Sequence, residues 1–462
     1  MPEQSTNAAR LQASARDHLL LHFGQHASLR NGQHVFLPER GEGVYLYDAA
    51  GKRYIDGLSA LFCAQLGYSY GPEFAKAAER QLSRLPFSTL WNTAHPAAIE
   101  LAERLAALAP DGINRVFFTS GGSESVESAW KLARMYHVAQ GQPQRTKAIA
   151  RRTAYHGQTM GALALTGIPA LKEPFGAPAL DVTHVPNTNR YRTTDADEEA
   201  FTSRLLAETE AAVLEAGPER VSLLIAEPVQ NAGGCFTPPA GYWAGLRAMA
   251  DRYGFLLVAD EVITGFGRIG DYFSVSRYGA VPDMITTAKG LTSSYAALGA
   301  VLVSDKVAEP FYGDGVTLLH GLTFAGHPVA AAIALTNLDV FERDGVLDNV
   351  RALTGHLRAR LAELTELDIV GDVRGDGFFW ALELVDGPDG ERFAADRKNE
   401  LIKRFLPTRM RDLGLLARAD DRGDPVVQIA PPLISTREEL DEIVDLLAQA
   451  LADADRRFLH DR

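Results

Sequence analysis

The sequence predicts an α/β protein whose sheet is largely parallel and covered by helices on both faces. Short runs rich in Val, Ile, Leu and Phe alternate with amphipathic stretches in the middle of the chain, as expected for strands buried on both faces. The apolar runs lie at 115–118, 147–151, 221–226, 255–259 and 284–288, and the helical stretches at 97–108, 123–138, 200–215 and 240–253. Such sheets bind ligands at the carboxyl ends of their strands, so functional residues are expected there.

The two ends of the chain predict a second, α+β region. We expect helices over 8–23, 329–343, 346–365 and from Thr436 to about 457, a β-hairpin of 44–48 and 53–56, and strands around 368–385. Thr436 and Glu439 have the spacing of a capping box, which favours a helix start. We therefore predict a large domain, 65–330, and a small α+β domain built from residues 1–64 and 331–462.

Composition excludes several classes of protein. The 462 residues include 46 Lys and Arg against 59 Asp and Glu, a net charge of −13. Such a surface repels nucleic acid and anionic lipid, so we expect no nucleic-acid and no membrane partner. Two cysteines, Cys63 and Cys235, cannot form a disulfide framework, and no Cys/His cluster has zinc spacing, so we expect no metal site. Without an apolar leader, a cytoplasmic protein is expected.

The first candidate site is a strand that ends in small residues before a helix. Ser120, Gly121 and Gly122 lie between the run 115–118 and the helix 123–138. Small residues let backbone N–H groups and a hydroxyl converge at a helix N-terminus, which favours a phosphate. The pattern also suits an ordinary serine-capped helix. The chain contains neither a G-x-x-x-x-G-K-[ST] P-loop nor a G-x-S-x-G elbow.

Two further strands end in ionisable residues. Asp260 and Glu261 follow the run 255–259, and without a P-loop lysine a buried Asp that serves a cationic or N–H partner is favoured, although a surface position stays open. Lys289 follows 284–288, where desolvation would disfavour its ammonium form and leave a nucleophile or base. A lysine at a strand end can equally extend into solvent.

A G-x-G-x-x-G pattern at residues 265–270 resembles a dinucleotide fingerprint. That fingerprint must open a helix directly from its strand, so that the helix N-terminus faces the pyrophosphate. Here several residues separate the pattern from the strand, and residues 271–275 have a β-like composition. We therefore interpret the segment as a Gly-rich loop.

One cofactor would use the phosphate site, the carboxylate and the lysine together. Pyridoxal 5′-phosphate needs an amine for its aldehyde, an acid for its ring nitrogen and an anion site for its phosphate. The order and spacing of six motifs then resemble the class III aminotransferases, which have pyridoxal-phosphate fold type I. The motifs are Ser120-Gly-Gly-Ser123, Tyr155-His-Gly157, Glu227-Pro-Val-Gln230, Asp260-Glu-Val262 to Arg268, Ala288-Lys-Gly290 and His320-Gly-Leu-Thr323. The resemblance covers nearly the whole chain and implies a mostly parallel, seven-stranded sheet.

The resemblance implies roles around the cofactor ring. Lys289 would form the Schiff base and move protons, and Asp260 would pair with the pyridine N–H. Val262 and Tyr155 would pack on opposite faces of the ring, and Tyr155 would also close one side of the substrate pocket. Glu227 would lie on the side of the 3′-oxygen. Lys289 and Asp260 are thus the expected catalytic residues.

The resemblance also implies a phosphate site shared between subunits. Ser120, Gly121 and Gly122 would form the phosphate cup of one subunit, and Thr323 would reach the phosphate from its neighbour. The active site would then lie across a homodimer interface, within a dimer or a tetramer. His156 is more often structural than catalytic in this pattern.

The substrate class also follows from the resemblance. Members of the family act on γ- or ω-amino acids, on ornithine-type substrates, or on simple amines with pyruvate. Residues 231–234 are Asn-Ala-Gly-Gly, where ornithine and 4-aminobutyrate members usually have Gly-Glu-Gly-Gly, and the region 414–433 resembles the amine:pyruvate ω-transaminase subgroup. We expect transfer from a primary amine or ω-amino acid to a keto acid such as pyruvate. A 4-aminobutyrate- or taurine-type transaminase is the alternative.

The expected substrate residues are one arginine and an apolar lining. Arg418 matches the family's arginine that swings in to bind a carboxylate and swings out for an apolar amine, and Arg422 is close enough to take this role instead. Leu61, Phe62 and Trp91 resemble the apolar lining, or belong only to the core. Three other functions stay open: an aminomutase or decarboxylase on the same scaffold, a nicotinamide oxidoreductase built on the Gly-rich loop, and a metabolite sensor without catalysis.

Overall fold

A computed structural model describes residues 2–31, 34–176 and 180–460. Its strands are β1 Pro38–Glu42, β2 Tyr45–Asp48, β3 Arg53–Asp56, β4 Ile113–Thr119, β5 Lys147–Arg151, β6 Val182–Val185, β7 Val221–Ala226, β8 Leu256–Asp260, β9 Met284–Thr287, β10 Gly299–Ser304, β11 Val370–Asp376, β12 Phe379–Leu384, β13 Leu415–Leu416, β14 Arg418–Asp420 and β15 Val426–Ile429. Its α-helices are α1 Pro2–His18, α2 His26–Arg30, α3 Ser59–Phe62, α4 Gly71–Arg84, α5 Pro96–Leu108, α6 Gly122–Ala139, α7 Met160–Leu165, α8 Pro169–Lys172, α9 Glu198–Ala216, α10 Tyr242–Tyr253, α11 Asp305–Ala308, α12 Pro328–Arg343, α13 Val346–Ala362, α14 Ala395–Glu400, α15 Leu406–Leu413 and α16 Arg437–Asp455. Short 3₁₀ and π turns join several of these elements.

The central sheet has seven strands in the order β4-β10-β9-β8-β7-β5-β6. Strand β10 runs antiparallel to both of its neighbours, and the other pairs that join β9, β8, β7, β5 and β6 are parallel. Along β7, Leu223 and Ile225 pack in one buried cluster, and Leu224 packs in another. Both faces of the sheet are therefore covered. The strand order and the parallel pairs confirm the predicted mostly parallel, seven-stranded sheet of an α/β fold.

Two smaller sheets involve the ends of the chain. The first has the order β1-β2-β3-β13, and its parallel pair joins Leu415 to Ile55, so an N-terminal hairpin meets a C-terminal strand. The second, β11-β12-β15-β14, is antiparallel. The capping box is present: Thr436 Oγ1 accepts from Glu439 N, and Glu439 Oε2 accepts from Thr436 N. The proposed domain limits stay a prediction, although the β3–β13 pair supports them.

One expected helix differs from the structure. The helix predicted over 8–23 ends at His18, and Leu20 and Phe23 beyond it are 80% and 77% exposed, so no apolar face there packs and extends the helix. Residues 261–273 after β8 form neither helix nor strand, as expected for a Gly-rich loop, and a 3₁₀ turn follows in which Val275 N donates to Glu261 Oε1 over 2.7 Å. Among the described residues, no helix is long and apolar enough to cross a membrane.

Candidate active site

The predicted site residues gather at the carboxyl edge of the central sheet. Asp260 is the last residue of β8, and its register partner on the adjacent parallel strand β9 is Thr286. Lys289 lies two residues beyond the end of β9, and Glu227 directly follows β7, the other neighbour of β8. Because parallel strands end at the same edge, three neighbouring strands deliver an amine and two carboxyl groups to one place.

Lys289 is a partly buried lysine with a free amine. Its Nζ makes no hydrogen bond or ion pair with any residue that the structure describes. Burial is the largest influence on the pKa of Lys289 and lowers it. Weaker influences come from Cys63, Asp260 and Glu227, which raise this pKa, and from Arg418, which lowers it. A lysine whose ammonium is disfavoured can act as a nucleophile or a base.

Gly290 lets the chain turn tightly beside this lysine. A Cβ at Gly290 would lie 2.4 Å from Nε2 of the buried Gln65 and 2.9 Å from Cβ of Phe266. Lys289 itself has a positive φ of 38°. A side chain at position 290 would displace a packed neighbour, so the glycine is required for this path of the backbone.

Asp260 is held by three hydrogen bonds and is 4% exposed. Its Oδ2 lies 2.7 Å from Nδ1 of His156, and its Oδ1 accepts from Val262 N and from Thr286 Oγ1, each over 3.1 Å. His156 is itself buried. The histidine interpreted as structural therefore touches the candidate catalytic carboxylate directly and fixes its orientation. The motif pointed to His156, but nothing in the sequence identified its partner.

Glu227 joins two loops at the same edge. Its Oε2 accepts from Asn231 N over 2.9 Å, and its Oε1 accepts from Tyr155 N over 3.4 Å. Burial raises the pKa of Glu227, while the charge of His156 acts in the opposite direction. The backbone oxygen of Glu227 also accepts from the buried Arg151 over 2.5 Å. Glu227 thus places Tyr155 relative to the loop that follows β7.

The start of helix α6 contacts the same group of residues. Gly121 is its N-cap, and a Cβ at Gly122 would lie 2.8 Å from Val262 Cγ1. Ser120 N donates to Glu124 Oε2 over 2.8 Å. The first N–H groups of a helix of 18 residues that begins at Gly122 after the N-cap Gly121 form a site that favours an anion.

The loop that carries Tyr155 and His156 rests on this helix start. Gly157 has a φ of 135°, and a Cβ there would lie 2.4 Å from Ser123 Oγ. Ser123 Oγ also accepts from Gln158 N over 3.0 Å. The Ser120–Gly122 segment, Val262 and the Tyr155 loop therefore form one connected wall.

The two candidate arginines differ in their partners. Arg422 donates to both carboxylate oxygens of Asp420, with distances of 2.6–2.9 Å, and its side chain is 12% exposed. Arg418 Nε lies 4.0 Å from Asp420 Oδ2, and its guanidinium donates no hydrogen bond to a described residue. Burial, and then the charge of Arg422, lower the pKa of Arg418 to about 10. Arg418 is thus the arginine with free donors, and Asp420 is a partner that the sequence did not reveal.

The predicted apolar lining is divided between two places. Phe62 is 1% exposed, its ring centroid lies 5.8 Å from that of Phe379, and the Arg418 guanidinium lies 6.0 Å from its centroid. Leu61 beside it is 56% exposed. Trp91 is 62% exposed and lies against Gly321, on the loop that carries the exposed Thr323. Trp91 and Thr323 therefore form a second, outward-facing cluster.

The arrangement supplies three chemical functions: an amine, a buried carboxylate fixed by hydrogen bonds, and a helix N-terminus suited to an anion. Among the described residues, no group of His, Cys, Asp and Glu is suited to hold a metal ion. Comparison with known proteins identifies the family.

Residues 27–451 match the family model for the class III aminotransferases. The chain is 48% identical over 463 residues, covering 100% of this chain and 97% of the relative, to a protein of Mycobacterium tuberculosis named probable aminotransferase Rv3329. It is 38% identical to the putrescine–pyruvate aminotransferase of Pseudomonas aeruginosa, covering 98% of each chain.

Solved structures show the same similarity. The (S)-enantioselective ω-transaminase of Thermomicrobium roseum superimposes with a TM-score of 0.91 at 40% identity, covering 97% of this chain and 98% of the other. The ω-transaminase of Pseudomonas jessenii in complex with PMP has a TM-score of 0.91 at 35% identity, covering 97% and 99%. The protein is an aminotransferase with the fold type I architecture. The chain belongs to the class III aminotransferases.

Proposed function

We propose that this aminotransferase uses pyridoxal 5′-phosphate to move the amino group of a primary amine or ω-amino acid to a keto acid such as pyruvate. The observation that carries the proposal is the state of the Lys289 amine. It has no hydrogen-bond or ion-pair partner among the described residues, and burial lowers its pKa. It lies at the same edge of the sheet where His156 fixes Asp260. An ordinary structural lysine would be paired or solvated instead.

The residues present suit this cofactor. A carboxylate offers roughly four lone-pair positions. Three are used at Asp260, by His156, Val262 N and Thr286, which leaves room for the N–H of a pyridine ring. The helix N-terminus at Ser120–Gly122 suits the phosphate. Val262 and Tyr155, on the wall described above, would flank the ring, and Glu227 would face its 3′-oxygen.

The proposed reaction assigns a task to each of the chain's own groups. When bound, the cofactor supplies an aldehyde that takes the amino group and a protonated ring that withdraws electrons. Lys289 Nζ, whose ammonium form is disfavoured by burial, would remove the α-proton of the amino donor and return a proton during the transfer. Asp260 would accept the N–H of the cofactor ring. His156 orients Asp260 through Nδ1.

A keto-acid substrate brings a carboxylate that needs a cationic partner. Arg418 offers free guanidinium donors next to Phe62, whereas Arg422 is committed to Asp420. Position 232 is a buried Ala, so the acidic residue typical of the 4-aminobutyrate members is missing from that loop. The similarity to an aminotransferase that uses putrescine and pyruvate supports pyruvate as the acceptor.

The assembly that we propose is a homodimer in which Thr323 of the partner subunit completes the phosphate site. The loops that carry Trp91 and Thr323 pack together, since the rings of Phe87 and Phe324 meet edge to face at 6.0 Å. They expose Trp91 at 62%, Phe324 at 63% and Leu319 at 81%. Adjacent exposed apolar side chains are typical of an interaction surface. Both cysteines are free thiols, which suits the predicted cytoplasmic location.

A panel of amino donors tests this proposal. The protein, saturated with pyridoxal phosphate, is incubated with 1-phenylethylamine, putrescine, β-alanine, 4-aminobutyrate or taurine, with pyruvate or 2-oxoglutarate as the acceptor. We expect alanine to accumulate from pyruvate with at least one amine. Product that forms without any keto acid would indicate an aminomutase or decarboxylase. Hydride transfer to a nicotinamide, with no amino transfer, would contradict the proposal.

A further inference from the structure

The segment Ser59–Phe62 has an unusual backbone conformation. Ser59, Ala60 and Phe62 have positive φ angles of 48°, 55° and 61°, although none of them is glycine. Ala60 combines its φ with a ψ of −83°, which lies outside the small left-handed region open to such residues. Conformations of this kind persist only where the surrounding structure holds them, and they cluster at functional sites.

The carboxylate of Asp56 hydrogen-bonds the backbone at the start of this turn. Asp56, at the end of β3, has no exposed surface. Its Oδ1 accepts from Leu58 N over 3.0 Å, and its Oδ2 accepts from Ala60 N over 2.7 Å and from the hydroxyl of Tyr68 over 2.5 Å. One oxygen thus binds the N–H of Ala60 inside the strained segment, and the other binds the N–H of Leu58 directly before it.

A second set of contacts fixes the start of the turn. Ser59 Oγ donates to the backbone oxygen of Ala430 over 2.7 Å and accepts from Arg268 over 3.1 Å. Arg268, from the Gly-rich loop, also donates to Phe378 and Pro431 oxygens. The turn is therefore fixed at Ser59 by the rest of the protein and closed by backbone bonds from Phe62 N to Leu58 O and from Cys63 N to Ser59 O. Asp56 is the side chain that holds Ala60 N within it.

The turn directs side chains toward the proposed substrate site. Leu61 is exposed, and Phe62 lies below the guanidinium of Arg418. Cys63, which follows, is close enough to Lys289 to influence its pKa. A change in the path of residues 59–62 would therefore move the surface that meets the amino donor, and leave Asp260 and helix α6 in place.

We propose that Asp56 is a positioning residue that holds the Ser59–Phe62 turn in its strained conformation and thereby selects the apolar part of the amino donor. The part of this inference that concerns the amino donor rests on the proposed function. Asp56 acts through Leu61 and Phe62 and touches no reacting atom.

The chain offers a matched control for a test of this role. Asp48, in the β2–β3 hairpin, also accepts two backbone N–H groups, from Ala50 and Lys52, and one tyrosine hydroxyl, from Tyr54. Asp56→Asn and Asp48→Asn therefore remove the same kind of acceptor at two different turns. Tyr68→Phe removes only the phenol contact, and it serves as the milder variant if Asp56→Asn folds poorly.

The experiment compares two amino donors and one structural readout. In Asp56→Asn, kcat/KM for 1-phenylethylamine should fall about tenfold relative to that for alanine, as expected when a buried backbone N–H loses its acceptor. Hydrogen exchange of the amides at residues 58–63 should accelerate. Tyr68→Phe should show smaller changes of the same sign, and Asp48→Asn should show neither change.

Each outcome bears on one claim. Equal loss for both donors in Asp56→Asn, or the same selectivity change in Asp48→Asn, would overturn the role in selection. Unchanged exchange at residues 58–63 would overturn the role in holding the turn. Failure of the wild-type protein to transfer an amino group from any donor would count against the proposed function instead, and the exchange measurement would still decide whether Asp56 holds the turn.

Discussion

Replacing Arg418 with alanine should separate the two halves of the reaction. Arg418 has a desolvated guanidinium whose one ion-pair contact among the described residues, with Asp420, spans 4.0 Å, and Asp420 is bound tightly by Arg422. A keto acid must place its carboxylate beside a cation, whereas an apolar amine has no carboxylate. The substitution should therefore weaken the keto-acid half-reaction and spare the amine half-reaction.

The size of the effect follows from the contacts that are lost. A charge-assisted hydrogen bond contributes about 1.5–3 kcal/mol, and a guanidinium can donate two to one carboxylate. The Arg418 side chain is 29% exposed, so the lower value applies to each bond. A total of about 3 kcal/mol corresponds to roughly a hundredfold rise in the KM for pyruvate. Stability should barely change, because Arg418 forms no close ion pair.

Arg422→Ala is the matched control for this measurement. Removal of the Arg422 side chain leaves Asp420, which is 3% exposed, without the guanidinium that hydrogen-bonds both of its carboxylate oxygens. Loss of one partner of a buried pair lowers the free energy of unfolding by about 3–5 kcal/mol. Spectrophotometric half-reactions and urea unfolding of both variants distinguish these effects. A loss of both half-reactions in Arg418→Ala, or an unchanged KM for pyruvate, would refute the reasoning.

Three further predictions concern other groups. Asp260→Ala should reduce the rate of amino transfer far more than Asp260→Glu, which keeps a carboxylate; equal losses in single-turnover kinetics would contradict this role. Burial raises the pKa of Glu261 from its ordinary 4.5 to about 7, so its contribution to stability is full below pH 4.5 and is lost as pH rises to about 7. Glu261→Gln should remove that slope from urea unfolding measured against pH. Iodoacetamide should label Cys63 and spare the buried Cys235, whose pKa burial raises, as peptide mass spectrometry would show; labelling of Cys235 in the native protein would contradict that.

Much of the architecture follows from local patterns. The runs at 147–151 and 221–226 coincide with β5 and β7, and the residues after each predicted strand lie at one edge, because parallel strands bring their carboxyl ends together. Strand β10 was not among the predicted runs, and its antiparallel direction did not follow either, since an apolar run does not indicate whether it pairs parallel or antiparallel. The end of α1 at His18 depended on packing that Leu20 and Phe23 do not make.

The sequence indicated which residue types would lie at the candidate site. It did not indicate which side chains would contact one another there. Asp260 and Lys289 were singled out because each follows a predicted buried strand, and the resemblance to the family then implied their roles. The His156–Asp260 contact joins residues 104 positions apart, and the choice between Arg418 and Arg422 depends on which of them Asp420 binds. Such pairings arise from tertiary geometry, which one sequence does not encode locally. The same holds for Asp56, whose importance appears only with the strained turn above it.

The central claim is that Lys289 is the amine that binds the cofactor. Reduction of the protein with borohydride in the presence of pyridoxal phosphate, followed by peptide mass spectrometry, measures this directly. We expect one phosphopyridoxyl group, on the peptide that contains Lys289. The label should be absent in Lys289→Ala and present in Lys147→Ala, a control lysine paired with Asp181 over 3.2 Å at the start of β5. A label on another lysine, or its persistence in Lys289→Ala, would contradict the assignment of the active site.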